Sequence, residues 1–183
     1  ITDHNTTDAA FWLAQHLSIP VIVGEEIKTS GGEVIGLFLK GTIPAGLSVW
    51  QTIAAIHEQG GLVYLPHPFD SSGRDSVFLP QQIEEIIHQV DVIEGINGRC
   101  WRCEDNGRAM QLAQSYKKPI GAGSDAHAPM MIGKAVVEMP HFSTPGEFMA
   151  ALREGRPSGD TQTYVERLIL NRFVRKALRV FER

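Results

Sequence analysis

The sequence predicts an α/β fold with a barrel-like number of strands. Apolar, β-rich runs alternate with helical stretches along the 183 residues, a pattern typical of a sheet built on parallel strands. Histidines and acidic residues fall where strands end and helices begin, the edge at which α/β barrels place their active sites. An apolar fraction of 43% and a charged fraction of 21% fit one globular domain over residues 1–183.

The first half of the chain is predicted to begin with a helix and to contain three strands. In order, the elements are a helix at 8–17, a strand at 19–23, a strand at 33–39, a helix at 48–59 and a strand at 62–65. The strand at 19–23 is the apolar run IPVIV, followed by GEEI. Ser48 is a typical N-cap, and the glycine pair at 60–61 ends the helix that Ser48 begins.

The second half repeats this alternation. Its predicted elements are helices at 80–89, 104–116, 144–153 and 164–181, and strands at 91–96, 119–124 and 134–139. Thr144 caps its helix, with Glu147 at the third helical position. No low-complexity linker or domain boundary interrupts the pattern.

The net charge of −4 is unevenly distributed. Residues 164–183 carry six basic and two acidic side chains, a net +4, which leaves −8 for the remainder. An acidic body argues against a stable nucleic-acid complex and suits a site where carboxylates surround cations. The helix at 164–181 is basic and amphipathic. It is predicted to close the barrel, because its apolar stripe has no Trp, rather than to lie on a membrane.

Location and redox state follow from what the sequence contains. No apolar run approaches the length of a membrane span, and no signal-peptide pattern is present, so the expected location is cytoplasmic. Cys100 and Cys103 form a single CxxC. With no second pair to complete a zinc site, they are interpreted as two reduced thiols.

Five side chains at strand ends are candidate metal ligands: His4, Glu26, His67, Asp125 and His127. Imidazole and carboxylate together suit Zn, Mn or Fe. The alternating pattern of an extended strand would point Asp125 and His127 to the same face. Pro68 favours an extended backbone at His67. A single histidine of this kind is usually structural, but the joint occurrence at four strand ends favours a metal centre.

Six stretches, in order, carry a resemblance to a known family. They are ITDHN at 1–5, VGEEI at 23–27, VIGLF at 34–38, GGLVYLPHPF at 60–69, IEGINGR at 93–99 and GSDAH at 123–127. With these motifs the sequence resembles the PHP (polymerase and histidinol phosphatase) family of metal-dependent phosphoesterases over essentially its whole length. It is most similar to the stand-alone bacterial and archaeal members.

The resemblance implies a distorted (β/α)7 barrel with two or three divalent metal ions (Mn, Zn or Fe) at its C-terminal rim. His4 and His127 would hold one ion, Glu26 would bridge two, and His67 and Asp125 would complete the others. Family members also carry a His-x-His on their first strand, which this sequence lacks. The expectation is therefore that the first strand is missing through truncation, which would remove two ligands from one metal position.

The implied reaction is hydrolysis of phosphomonoesters of small metabolites or nucleotides through a metal-bound hydroxide. His4 or His127 is the candidate donor of a proton to the leaving oxygen. Arg99 is the candidate contact to the substrate phosphate, with a structural salt bridge as its alternative. Asn97 is a candidate for substrate binding, although its interpretation as a turn residue is preferred, and Arg74 is a weaker phosphate candidate.

Two other classes of protein remain open. One is a non-catalytic PHP-like module that binds or scaffolds, against which the retained ligand set argues. The other is a metal hydrolase of the amidohydrolase type. Such enzymes usually use a lysine or carboxylated lysine as a bridge, and Lys28 is the only lysine near a strand-end ligand.

Overall fold

A computed structural model describes residues 1–72, 77–100 and 102–159 of the chain. The predicted helix at 164–181 and the phosphate candidate Arg74 lie outside these residues. Within them, no helix has both the length and the apolar character that crossing a membrane requires.

The described residues form a mixed α/β fold around a curled, half-barrel sheet of six strands. The strands lie side by side in sequence order: β1 Thr2–His4, β2 Gly24–Lys28, β3 Glu33–Leu37, β4 Leu62–Leu65, β5 Val92–Asn97 and β6 Ile120–Gly123. A second sheet pairs β7 Ala135–Glu138 with β8 Arg156–Gly159 in antiparallel fashion. A closed (β/α)7 barrel remains a prediction.

Five helices connect these strands. They are α1 Asp8–His16, α2 Val49–Glu58, α3 Pro80–Ile86, α4 Cys103–Ser115 and α5 Pro145–Glu154. Ser48 caps α2 as predicted, since its hydroxyl accepts the Gln51 N–H and the Gln51 side chain returns to the Ser48 N–H. At α5 the Thr144 hydroxyl accepts the Glu147 N–H, but the Glu147 carboxylate accepts from Ser143 rather than from Thr144.

The sequence predicted a sheet of parallel strands, but the sheet is mixed. β1, β2, β4, β5 and β6 run in one direction, whereas β3 is antiparallel to both of its neighbours. The reversal follows from the short turn between β2 and β3, because a parallel neighbour would need a crossover connection of a dozen or more residues. This turn is closed by the Thr29 hydroxyl, which donates to the Gly32 carbonyl at 2.7 Å.

The strand predicted at 19–23 is wrong, and the strand in this region is β2. Ile19 is 65% exposed, and residues 21–23 are partly buried without belonging to a strand, although Ile22 packs against an apolar cluster. β2 begins at Gly24, where glycine is needed because a Cβ would lie 2.7 Å from the Gly36 carbonyl oxygen on β3. In consequence Glu26 lies inside a strand and not at its end, where the sequence had placed it.

Both faces of the sheet are buried. One face packs against α2, α3 and α4 through residues such as Ile27, Ile56 and Ile93, each almost fully buried. On the other face, Ile35 and Tyr64 belong to a second apolar cluster. The alternation of side chains along a strand explains the division, because neighbouring residues point to opposite faces.

Close packing of β6 against Tyr64 generates a stability prediction. A Cβ at Gly121 would lie 2.6 Å from the hydroxyl oxygen of Tyr64, which is a buried residue. We expect Gly121→Ala to lower the free energy of unfolding by about 1–3 kcal/mol. The matched control is Gly107→Ala in α4, where an added Cβ meets nothing within 4 Å.

The control should raise the free energy of unfolding by about 0.5–1 kcal/mol, because alanine restricts the unfolded chain and favours a helix. Urea denaturation of the two variants measures both changes. Equal stability of Gly121→Ala and Gly107→Ala would contradict the packing described at β6.

Candidate metal centre and catalytic cavity

A cavity of about 650 Å³ opens at the edge of the sheet where the parallel strands end. Side chains from segments far apart in sequence line it. Among them are all five metal-ligand candidates, His4, Glu26, His67, Asp125 and His127. The structure therefore brings the sequence-predicted set together at one site, while the ligand role of each stays a prediction.

The pairing of β1 with β2 places His4 beside Glu26. The two residues are direct partners in the parallel register, and His4 Nδ1 lies 3.3 Å from Glu26 Oε2. The His4 side chain is 49% exposed, whereas that of Glu26 is 9% exposed. A buried carboxylate thus faces a half-exposed imidazole that can reach the cavity.

His67 approaches Glu26 from the other side. Its Nε2 lies 2.9 Å from Glu26 Oε1, and its side chain is 1% exposed. The backbone at His67 is left-handed, with φ of 29°, so the extended conformation predicted from Pro68 is wrong. This turn directs the ring towards β2. One carboxylate therefore lies between two imidazoles.

Glu33 completes this group and was missed in the sequence. Its Oε1 lies 3.8 Å from His4 Nδ1 and its Oε2 lies 3.8 Å from His67 Nε2. Ligand atoms of His4, Glu26 and Glu33 all lie within 4.8 Å of one another. Imidazole with two carboxylates fits a divalent cation such as Zn, Mn or Fe.

A signal for Glu33 existed in the sequence. Because β3 runs antiparallel to β2, its first residue lies at the edge where β2 ends. Glu33 and Ile35 are two residues apart, and Ile35 pairs with Glu26, so Glu33 and Glu26 share a face of the sheet. An acidic residue opening an apolar strand after a tight turn would have indicated it.

Asp125 and His127 form the opposite side of the cavity. β6 ends at Gly123, and Asp125 has a φ of 47°, so these residues do not lie on the extended strand that the sequence predicted. The left-handed turn nevertheless brings them together, with His127 Nδ1 3.4 Å from Asp125 Oδ1. The His4 and His127 rings approach edge to face, with centroids 5.8 Å apart.

Arg99 lies against this pair. Its Nη1 donates to Asp125 Oδ1 at 3.3 Å and lies 3.2 Å from His127 Nε2. A guanidinium can only donate, so His127 Nε2 acts as the acceptor and the ring proton is assigned to Nδ1. That nitrogen lies 3.1 Å from the Asp125 carbonyl oxygen and donates to it.

Asn97 is a buried residue at the end of β5, 1% exposed. Its Oδ1 accepts the Arg99 N–H at 2.8 Å, which shapes the turn after the strand. Its Nδ2 donates to Asp125 Oδ2 at 3.3 Å and to Glu94 Oε2 at 2.9 Å. The side chain thus joins the turn to the floor of the cavity.

Glu94 is the second residue that sequence reasoning missed. It is 4% exposed and lies within β5. Because the residues around it in this strand are mostly apolar, no signal in the sequence indicated a functional carboxylate there. It accepts hydrogen bonds from the His67 N–H at 2.8 Å, from Asn97 and from the Tyr64 hydroxyl at 3.3 Å. Burial raises the pKa of Glu94 to about 7 despite these donors.

The two cysteines of the CxxC do not form a disulfide. Cys100 is buried and Cys103 is exposed. Neither lines the cavity in the part of the chain that the structure describes.

The chain is similar to a protein-family model and to curated relatives. The family model described as PHP-associated matches residues 104–157. An uncharacterized protein of Methanocaldococcus jannaschii is 40% identical over 141 residues, which cover 72% of this chain and 60% of the relative. A second uncharacterized protein of that organism is 49% identical over 72 residues, covering 38% of this chain and 42% of the relative. The chain thus spans about 60% or less of either relative.

Solved structures show the same fold. A two-domain protein from Bacteroides vulgatus, containing a predicted PHP-like metal-dependent phosphoesterase, superposes with a TM-score of 0.65 at 18% identity. The match covers 87% of this chain and 55% of that chain. PsfC from Pseudomonas syringae superposes with a TM-score of 0.59 at 16% identity, covering 85% of this chain and 65% of that chain.

The raised pKa of Glu94 predicts a pH-dependent stability. Because the pKa moves from 4.5 to about 7 on folding, the folded chain binds more protons than the unfolded chain between these values. The contribution of Glu94 to the free energy of unfolding should therefore fall as the pH rises from 4.5 to about 7. Glu94→Gln cannot titrate, so urea denaturation in the presence of EDTA should show a difference between wild type and this variant that changes over that pH range. Parallel curves for the two proteins would refute the assignment.

Proposed function

We propose, from the premise that this chain belongs to the PHP family, that it is a metal-dependent phosphoesterase acting on phosphomonoesters of small metabolites or nucleotides. The observation that carries the proposal is the Glu26 carboxylate between the imidazoles of His4 and His67, with Asp125 and His127 across the same cavity. For the fold, we propose that the half-barrel sheet is part of a distorted (β/α)7 barrel.

The proposed ligand set contains the five predicted residues together with Glu33. We propose two or three divalent ions (Mn, Zn or Fe). His4, Glu26 and Glu33 would hold one cation, and Asp125 with His127 would contribute ligands to a second. Such a cation, when bound, lowers the pKa of a water molecule and neutralises charge that develops on a phosphoryl group. The buried carboxylates of Glu26 and Glu33 are suited to it, because buried negative charge requires a positive partner.

The remaining groups would bind and protonate the substrate. Arg99 has a 34% exposed side chain against Asp125 and His127, which line the cavity, and is proposed to contact the phosphate in a bidentate manner. His4 or His127, whichever is not fully engaged by a cation, is the proposed proton donor to the leaving oxygen, because their side chains are 49% and 45% exposed, whereas His67 is buried. A cavity of about 650 Å³ is of the size that takes small molecules.

The amidohydrolase alternative receives less support. Such a site needs a lysine at the metals, and no lysine is among the described residues that line the cavity. Lys28 is an exposed residue at the end of β2.

Replacing the central carboxylate tests the metal centre. We expect Glu26→Gln to lower Mn²⁺ affinity by about 10- to 100-fold, since removing a charged ligand weakens the site at least as much as losing a supporting partner. Hydrolysis of a generic aryl phosphate should fall at least in proportion. Isothermal titration and a colorimetric assay measure the two effects.

The matched control for Glu26→Gln is His141→Ala. His141 is an exposed residue outside the cavity, so its variant should retain wild-type affinity and turnover. Absence of Mn²⁺ binding by the full-length protein, with an intact first strand, or its turnover of no phosphomonoester or nucleotide, would favour the non-catalytic module instead.

Replacing Arg99 tests the phosphate contact. Arg99→Ala should raise KM for an aryl phosphate by about 10-fold or more, corresponding to the roughly 1.5–3 kcal/mol of a hydrogen bond to a charged group. Arg99→Lys should recover part of this loss, because a single cation replaces the planar fork. The control is Arg102→Ala, at an exposed residue before α4. An unchanged KM for Arg99→Ala would assign Arg99 a structural role.

A further inference from the structure

Glu94 lies beneath the cavity and contacts two segments that carry proposed ligands. We propose that Glu94 is a positioning residue whose carboxylate fixes His67 and Asp125 relative to one another. The inference rests on the proposed function, since the two residues it positions are proposed metal ligands. Among the described residues, the His67 N–H, Asn97 Nδ2 and the Tyr64 hydroxyl donate to Glu94, which is not itself proposed to bind a cation.

The first connection runs to the backbone of His67. Glu94 Oε2 accepts the His67 N–H at 2.8 Å. His67 has a left-handed backbone, a conformation that is unfavourable for a residue with a Cβ and persists only where the surroundings impose it. The hydrogen bond to Glu94 is one such restraint, and this conformation is the one that directs the His67 ring to Glu26.

The second connection runs through Asn97 to Asp125. The same Oε2 accepts from Asn97 Nδ2 at 2.9 Å, and this nitrogen also donates to Asp125 Oδ2 at 3.3 Å. Asn106 holds the Asn97 backbone, because its Oδ1 accepts the Asn97 N–H and its Nδ2 donates to the Asn97 carbonyl. Asn97 is therefore restrained on both sides.

The other carboxylate oxygen is held in a confined space. Oε1 accepts from the Tyr64 hydroxyl at 3.3 Å. Gly123 on β6 leaves the room that this oxygen occupies, since a Cβ at that position would collide with it. Removing the carboxylate would take the acceptor away from the buried donors that it now pairs.

Glutamine can reproduce this arrangement, and alanine cannot. The glutamine carbonyl can take the place of Oε2 and accept from His67 and Asn97. Its NH₂ then faces the Tyr64 hydroxyl, which is able to accept. Glu94→Gln thus removes the charge and keeps the three contacts, whereas Glu94→Ala removes all three.

The test compares Co²⁺ binding by the full chain and its variants, using the visible absorption spectrum to report ligand geometry. Glu94→Ala should bind Co²⁺ about 10- to 100-fold more weakly than wild type, with an altered spectrum, as expected when a group supporting metal ligands is lost. Glu94→Gln should restore the wild-type spectrum and an affinity within about 3-fold of wild type.

The matched control is Asp91→Asn. Asp91 Oδ2 accepts the Val63 N–H at 2.8 Å, so it makes the same kind of bond at the opposite end of β4 and β5. Asp91→Asn should leave the Co²⁺ affinity and spectrum unchanged. A similar loss in this control would show a general effect of stability and overturn the inference.

The results distinguish failure of the positioning role of Glu94 from failure of the proposed metal-dependent function. Wild-type affinity in Glu94→Ala, or a loss in Glu94→Gln as large as in Glu94→Ala, would overturn positioning by hydrogen bonds while leaving the metal centre standing. Failure of the wild-type chain to bind Co²⁺ would overturn both. If Glu94→Ala does not fold, Asn97→Ala keeps the bond between Glu94 and the His67 N–H. It removes the connection to Asp125, together with the acceptor of the Arg99 N–H. Weaker Co²⁺ binding in that variant supports the inference, and unchanged binding overturns it.

Discussion

The burial of carboxylates within a β-sheet is the constraint on which the rest of the structure depends. Glu25, Glu26, Glu33 and Glu94 are all less than 10% exposed on strands β2, β3 and β5. Each must find donors or cations, because an uncompensated buried charge costs several kcal/mol. Glu25 faces away from the cavity and accepts the Ile43 N–H, and burial raises its pKa. Glu26 and Glu33 face imidazoles instead. Glu25 and Glu26, which are neighbours on β2, thus point to opposite faces of the sheet.

Two backbone features convert this constraint into a site. Because β3 runs antiparallel to β2, its first residue lies at the edge where β2 ends, which places Glu33 opposite His4 and His67. The left-handed residues His67 and Asp125 then turn their side chains inward directly after β4 and β6. Both residues carry strain that their hydrogen bonds offset, and strain of this kind concentrates at functional sites. The cavity is therefore built as much by turns as by strands.

Parts of the fold followed from local sequence. The strand Leu62–Leu65 and the helix capped by Ser48 were predictable because both signals act within a few residues. The strand at 19–23 was not, since an apolar run does not show by itself whether it pairs with a neighbouring strand. For the site, histidine and carboxylate pairs next to turns were visible. Glu94 was hidden in an apolar strand, and Glu33 depended on the direction of β3.

The sequence by itself determined the class of fold, the order of its elements and the types of ligand that reach one edge of the sheet. Those properties rest on periodicity, caps and residue chemistry, which act over short distances. Only the tertiary structure decided which side chains share a partner. The position of Glu26 between His4 and His67, and the connection of Glu94 to His67 and Asp125, depend on strand register and on left-handed turns. Register and turn geometry are set by packing between distant segments, so no local pattern encodes them.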